Sequence, residues 1–201
     1  MKKKHIWAIV LGAVALSVII AAVVWFSLPC YEFNDGIITI DGNDYAFTSG
    51  YSEVALDKCI GRTADGDRIF ALENDDGKFL AIKAPWWELP YNLLCNTAVT
   101  PPQITKEETG RLEINGEAMD AAVADALIEM YNTQGDSARV YTGDMGVLTH
   151  IASVDVYFKD YPQVYSTMTI YECSTGMFVS TKNGDYVLID DSLVLNALGD
   201  I

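Results

Sequence analysis

Positive charge is scarce in this chain and histidine scarcer still. Thirteen Lys and Arg and two His stand against 28 Asp and Glu, a formal net charge of −15 over 201 residues. A chain so acidic lacks the basic surface that neutralises phosphates, which excludes nucleic-acid partners. His5 and His150 offer no zinc-ligand spacing, and Cys30, Cys59, Cys95 and Cys173 include no Cys-x-x-Cys pair. Neither a Walker-type phosphate loop nor a G-x-G-x-x-G motif is present, so no cofactor and no metal are expected. The absence of any Asn-x-Ser/Thr sequon speaks against a glycosylated eukaryotic ectodomain and suits a bacterial one.

The most telling absence is local. From Ile6 to Leu28, 23 residues pass without one charged side chain. As an α-helix they extend about 34 Å at ~1.5 Å per residue, enough to cross a hydrocarbon core of ~30 Å. Lys2, Lys3 and Lys4 precede this run, all acidic residues follow it, and no basic residue recurs until Lys58. The lysine asymmetry predicts a cytoplasmic N-terminus and an extracytoplasmic remainder in which 10 basic side chains meet 28 acidic ones, a formal −18. Trp7 and Trp25 lie about 27 Å apart along such a helix, suited to its two interfaces. A cleaved secretory signal has a shorter apolar region, and a lipoprotein signal wants a small residue where Pro29 precedes Cys30. A retained anchor in the cell membrane is the expectation. Ala13, Ser17 and Ala21 recur every four residues and could let two such helices pair as a homodimer, and Cys30 could join two copies.

Beyond the anchor, turn chemistry punctuates the chain at 34–36, 41–43, 65–67, 74–77, 174–176 and 183–185. Between these clusters lie short β-rich runs at Ile37–Ile40, Tyr45–Thr48, Arg68–Glu73, Lys78–Ala84, Val147–Phe158, Val164–Cys173, Met177–Thr181 and Tyr186–Ile189. Met119, Ala122, Val123, Ala126, Leu127, Met130 and Tyr131 follow helical spacing and predict one amphipathic helix ending by Gly135. A last short helix is expected from Ser192 to Gly199. The fold class is therefore an N-terminal transmembrane helix followed by an α+β, mainly antiparallel-β region with a packed amphipathic helix. Its divisions are a tail (1–5), the signal-anchor (6–28), a β-rich unit (29–96), a Pro-containing connector (97–105) and an α+β unit (106–201), the outer units equally readable as one continuous domain.

Chemistry-bearing patterns are few. No catalytic residue can be named. Gly50-Tyr51-Ser52-Glu53-Val54 lacks the second glycine of a nucleophile elbow, and neither Gly66 nor Gly77 sits sixth in a calcium loop that begins with a carboxylate. His150 shares the even-numbered parity of Val154, Val156 and Phe158 and reads as a structural residue on their face. Cys59 and Cys95 form the preferred disulfide of the outer part, which oxidising surroundings permit. Trp86, Trp87 and Tyr91, within Ala84-Pro85-Trp86-Trp87-Glu88-Leu89-Pro90-Tyr91, are the candidate binding residues, because neighbours in an extended chain point opposite ways and one indole is hard to bury. The expected function is a membrane-anchored, non-catalytic binding module of a bacterial envelope, held in lipid by residues 6–28 and engaging another envelope or secreted protein. The alternatives are a tethered hydrolase built on His150 or a carboxylate pair, and a ligand- or glycan-binding module using Trp86 and Trp87.

Overall fold

The structure, a computed structural model, describes residues 2–84, 92–132, 147–181, 185–189 and 192–199, with side chains from Val10 onward except those of 193 and 199. The uncharged run forms one helix, α1 (Lys2–Ser27), and no side chain from Val10 to Ser27 is buried. By length and apolarity it can span a bilayer, about 39 Å at ~1.5 Å per residue. Its two hydroxyls are satisfied within the helix, Ser17 donating to the Ala13 carbonyl at 2.9 Å and Ser27 to that of Val24 at 2.8 Å. Ala13, Ser17 and Ala21 are all exposed along it.

Immediately after the helix, β1 (Cys30–Tyr31) and β2 (Phe33–Asn34) are separated only by Glu32. The next strands of the same sheet are β3 (Ile37–Ile40), β4 (Asn43–Thr48), β6 (Leu56–Thr63), β7 (Arg68–Leu72), β8 (Phe79–Lys83) and β9 (Asn92–Asn96). Their order is β1-β6-β7-β8-β9-β4-β3-β2, so the two edges of the sheet are halves of one segment, 30–34. The sheet therefore closes on itself as a small barrel. Hairpins β2–β3 and β3–β4 turn through Asp35-Gly36 and Asp41-Gly42, with positive φ at all four residues, the geometry that matches strand twist in two-residue turns. Ile38, Ile40, Tyr45, Ile69, Leu80, Ile82 and Leu94 fill the interior, with Tyr31, Phe33 and Ile60 against them. Closure depends on Gly61, where a Cβ would lie 2.5 Å from the Tyr31 ring and 3.1 Å from the Pro29 carbonyl oxygen.

The second sheet holds β10 (Thr109–Ile114), β11 (Glu117–Ala118), β12 (Thr149–Phe158), β13 (Val164–Cys173), β14 (Gly176–Ser180) and β15 (Tyr186–Leu188) in the order β11-β10-β12-β13-β14-β15. β5 (Tyr51–Glu53), though early in the chain, pairs with β13. Helices α2 (Ala121–Asn132) and α3 (Ser192–Gly199) complete the body. One core joins both sheets. Phe79, Ala81, Leu93 and Cys95, on the strand faces opposite the barrel interior, share it with Leu112, Val154, Val156, Met168 and Ile170 and with Val123, Leu127, Ile128, Val194 and Leu198 of the helices. Strands β8 and β9 are consequently buried on both faces.

Helix α2 starts where Asp120 Oδ1 accepts the Ala122 amide at 2.8 Å, an N-cap. Its buried side chains are Val123, Ala124, Leu127 and Ile128, whereas Ala122 is exposed. The buried stripe is thus rotated from the one the apolar spacing predicts, on a helix packed against α3, β14 and β10. Gly135 lies outside the described residues.

Candidate functional site

Trp86, Trp87 and Tyr91 lie outside the described residues. On either side of them, β8 ends at Lys83 and β9 begins at Asn92, whose register partner is Ile82. The Cys59–Cys95 disulfide is not formed. All four cysteines are free thiols, and Cys59 on β6 is separated from Cys95 on β9 by two intervening strands. Three inter-strand steps of ~4.8 Å amount to about 14 Å, well past the ~6 Å Cα separation that a disulfide requires. Burial pushes the Cys95 thiol up to about 11, with the Asp75 carboxylate adding to the effect.

His150 is also displaced from its expected face. The β12–β13 register pairs His150 with Tyr171 and Ala152 with Ile170, so an irregularity at Ile151 breaks the alternation. One extra residue moves His150 off the buried face of Val154, Val156 and Phe158 and onto the opposite one. There it is exposed, edge-on to Tyr171 at 6.1 Å between ring centroids, with Nε2 3.0 Å from Ser153 Oγ. Both side chains stand on an open strand surface. A serine nucleophile also needs an orienting acid, and among the described residues no carboxylate is hydrogen-bonded to His150.

That opposite face holds an organised polar constellation. Register places Arg111, Tyr157, Tyr165 and Ser52 in one row across β10, β12, β13 and β5, and Glu113, Asp155 and Thr167 in the next. The Tyr157 and Tyr165 rings stack at 5.5 Å with 29° between their planes. The Arg111 guanidinium carbon lies 4.2 Å from the Tyr157 ring centroid, and its Nε donates to Glu113 Oε1 at 2.6 Å. Thr167 donates to Asp155 Oδ1 at 3.2 Å. Partial burial, then the nearby Glu113 and Asp155 carboxylates, raise the Tyr157 phenol above its ordinary range. The neutral hydroxyl is the form presented at physiological pH.

Both helices and the barrel pack on the other side of this sheet, which leaves Arg111 largely exposed and Tyr157 and Tyr165 half-exposed on this one. Farther along the same face, Phe178 is buried, so the open area is confined to β10, β12 and the near half of β13. Sequence reasoning missed these residues. The alternation that buries Val154 and Val156 exposes Asp155 and Tyr157, but only strand register brings Arg111 and Tyr165 beside them.

Elsewhere among the described residues the clefts are small. A cleft of about 270 Å³ is lined by Thr100, Pro101, Glu108, Asp160 and Tyr161, and a smaller one of about 100 Å³ by residues including Tyr51, Tyr131 and Ser166. These volumes fall below the ~300–1,000 Å³ typical of small-molecule sites. Among the described residues no three His, Cys, Asp or Glu side chains are grouped to hold a metal ion. No family model, no curated protein and no solved structure matches the chain.

Proposed function

We propose that this protein is a single-pass, membrane-anchored, non-catalytic binding module. In this reading α1 crosses the cell membrane with its lysines in the cytoplasm, and the barrel and second sheet stand on the extracytoplasmic side. The observation that carries the binding role is the open face of the second sheet. Tyr157 and Tyr165 form a stacked, rigid platform with polar tips, and Arg111, Glu113 and Asp155 surround it with fixed charge. Tyrosine and arginine recur at protein interfaces, tyrosine because it buries a large area at small entropic cost and arginine because its planar guanidinium makes several hydrogen bonds at once. A flat platform of this kind suits a protein surface better than a small ligand. The strongly acidic body favours a partner that brings Lys or Arg to Glu113 and Asp155.

A photo-crosslinking residue at Thr167, which is exposed in the second row, tests the reading in intact cells. One discrete adduct, reduced at least tenfold by Tyr157→Ser with Tyr165→Ser but unaltered by Ser153→Ala, is the expected result. Adducts indifferent to the tyrosines would overturn the docking face. Orientation is tested separately, by a membrane-impermeant maleimide on the exposed Cys30. Labelling only after lysis would place the body in the cytoplasm and end the extracytoplasmic reading.

A further inference from the structure

Although the body is acidic, three of its basic side chains stand in one row. Arg62 on β6 is the register partner of Arg68 on β7, and Arg68 that of Lys83 on β8. Cross-strand partners point to the same face. Here that face is the barrel exterior, since the neighbouring Ile69 and Ile82 point inward. The row lies against the end of α1: the Trp25 ring centroid is 5.9 Å from the Arg62 guanidinium carbon and 5.5 Å from that of Arg68. A Cβ on Gly66, in the β6–β7 turn, would come within 3.9 Å of the same indole.

Only Leu28 and Pro29 separate the helix from β1, and the Arg62 amide donates to the Pro29 carbonyl at 2.9 Å, so the row is tied to the helix end. Among the described residues neither arginine is paired with a carboxylate. Arg62 Nε is buried with no hydrogen-bond partner at all. A buried guanidinium N–H without an acceptor is costly, and an anionic oxygen is the partner it fits. Lys83 is shared with Glu53, whose carboxyl it stabilises in the charged form against the larger opposing effect of burial.

We propose that this row is a binding site for the phosphate of an anionic membrane phospholipid, with Arg62 and Arg68 as the phosphate ligands, Lys83 extending the positive wall and Trp25 packing against the lipid's glycerol and upper chain. The inference rests on α1 spanning a bilayer. Tryptophan at the end of a spanning helix sits at headgroup depth, and Trp25 fixes both guanidinium groups at that same depth. Asp65 and Asp67 of the β6–β7 turn stand beside the row without pairing to either arginine, and acidic groups beyond the Debye length, ~8 Å at physiological salt, are largely screened. The site also anchors the barrel foot to the surface and so sets the direction of the open tyrosine face.

The test uses the full chain in phosphatidylcholine nanodiscs containing 10% phosphatidylglycerol, with the lipid retained after detergent extraction counted by mass spectrometry. An enrichment of phosphatidylglycerol of about fivefold or more over the bulk ratio is expected, on the scale of a single interfacial cation. Arg62→Gln with Arg68→Gln should return the ratio to bulk, whereas Arg111→Gln on the second sheet should leave it unchanged. Should the double variant lose its cooperative melt, Arg68→Gln alone, at an exposed position, serves in its place. Enrichment that survives these changes, or its absence from the wild type, overturns the lipid site. Displacement of the lipid by 10 mM inorganic phosphate would instead identify a free-anion site. Carbonate extraction of the wild type from membranes tests the anchor separately: release into the supernatant overturns the spanning helix, and retention without enrichment overturns only the lipid site.

Discussion

Gly61 shows how one missing side chain decides a fold. Its backbone lies under the Tyr31 ring where segment 30–34 meets β6, and a methyl group there has nowhere to go. Gly61→Ala should cost about 1–3 kcal/mol, the range for overpacking, read as a lowered denaturation midpoint. Combined with Tyr31→Ala, which removes the ring in the way, its additional cost should be markedly smaller. The cysteines separate in the same manner by environment. Hydrogen bonds to Thr175 lower the Cys173 thiol pKa, the side-chain contact lying at 3.1 Å, while burial raises that of Cys95 to about 11. Since the thiolate is the reactive form, iodoacetamide at pH 7.5 should modify Cys173 in the folded protein and leave Cys95 untouched until denaturant is added. Mass mapping of the adducts checks this, and a Cys59–Cys95 crosslinked peptide would contradict the strand order. None of these environments can be read from cysteine spacing, because spacing says nothing about which strands lie between.

At the scale of elements, the segment 30–34 has a weight out of proportion to its length. It contributes β1 to one edge and β2 to the other, and thereby removes both open edges of the first sheet. A chain beginning at Leu28 should therefore fold as a soluble body with a cooperative thermal transition. One beginning at Asp35 should expose the edges of β3 and β6, lose cooperativity and aggregate, as followed by circular dichroism and light scattering. The Asp-Gly turns, the Ser192–Gly199 helix and the strand runs from Ile37 to Ile40 and from Val164 to Cys173 could all be read from local chemistry, since two-residue turns and alternating apolar residues are local signals. Strands β6 and β9 and the β1–β2 segment could not. They are short or irregular, β6 carries two register shifts, and what makes each a strand is the partner beside it. The same limit applies to α2 and to His150. Periodicity placed the helix and the strand, but the stripe α2 buries and the bulge at Ile151 depend on what packs against them.

Across the whole molecule, the acidic hydrogens of half-buried Tyr51 and buried Cys95 link stability to alkaline pH. Burial raises the Tyr51 phenol from 10.0 to about 12 and the Cys95 thiol from 9.0 to about 11. Between the unfolded and folded values the native state holds protons that the unfolded chain has released, so stability is intact below about pH 9 and falls as pH rises through 11–12. Unfolding midpoints across pH 8–12 should decline accordingly, and Tyr51→Phe should flatten the upper part of that decline. The open tyrosine patch and the basic row belong to this scale as well. Arg111 meets residue 157, and Trp25 meets residues 62 and 68, across separations that no motif spans. Local composition was enough to establish an apolar helix long enough for a bilayer, an acidic β-rich body behind it and the hairpins within that body, because hydropathy and turn preference act over a few neighbouring residues. Barrel closure, the core common to both sheets, the unbridged cysteines and the two candidate surfaces follow instead from which strands pair and in what register. That is settled by burying both faces of β8 and β9 at once, a cooperative constraint that involves the entire body and leaves no mark on any short stretch of sequence.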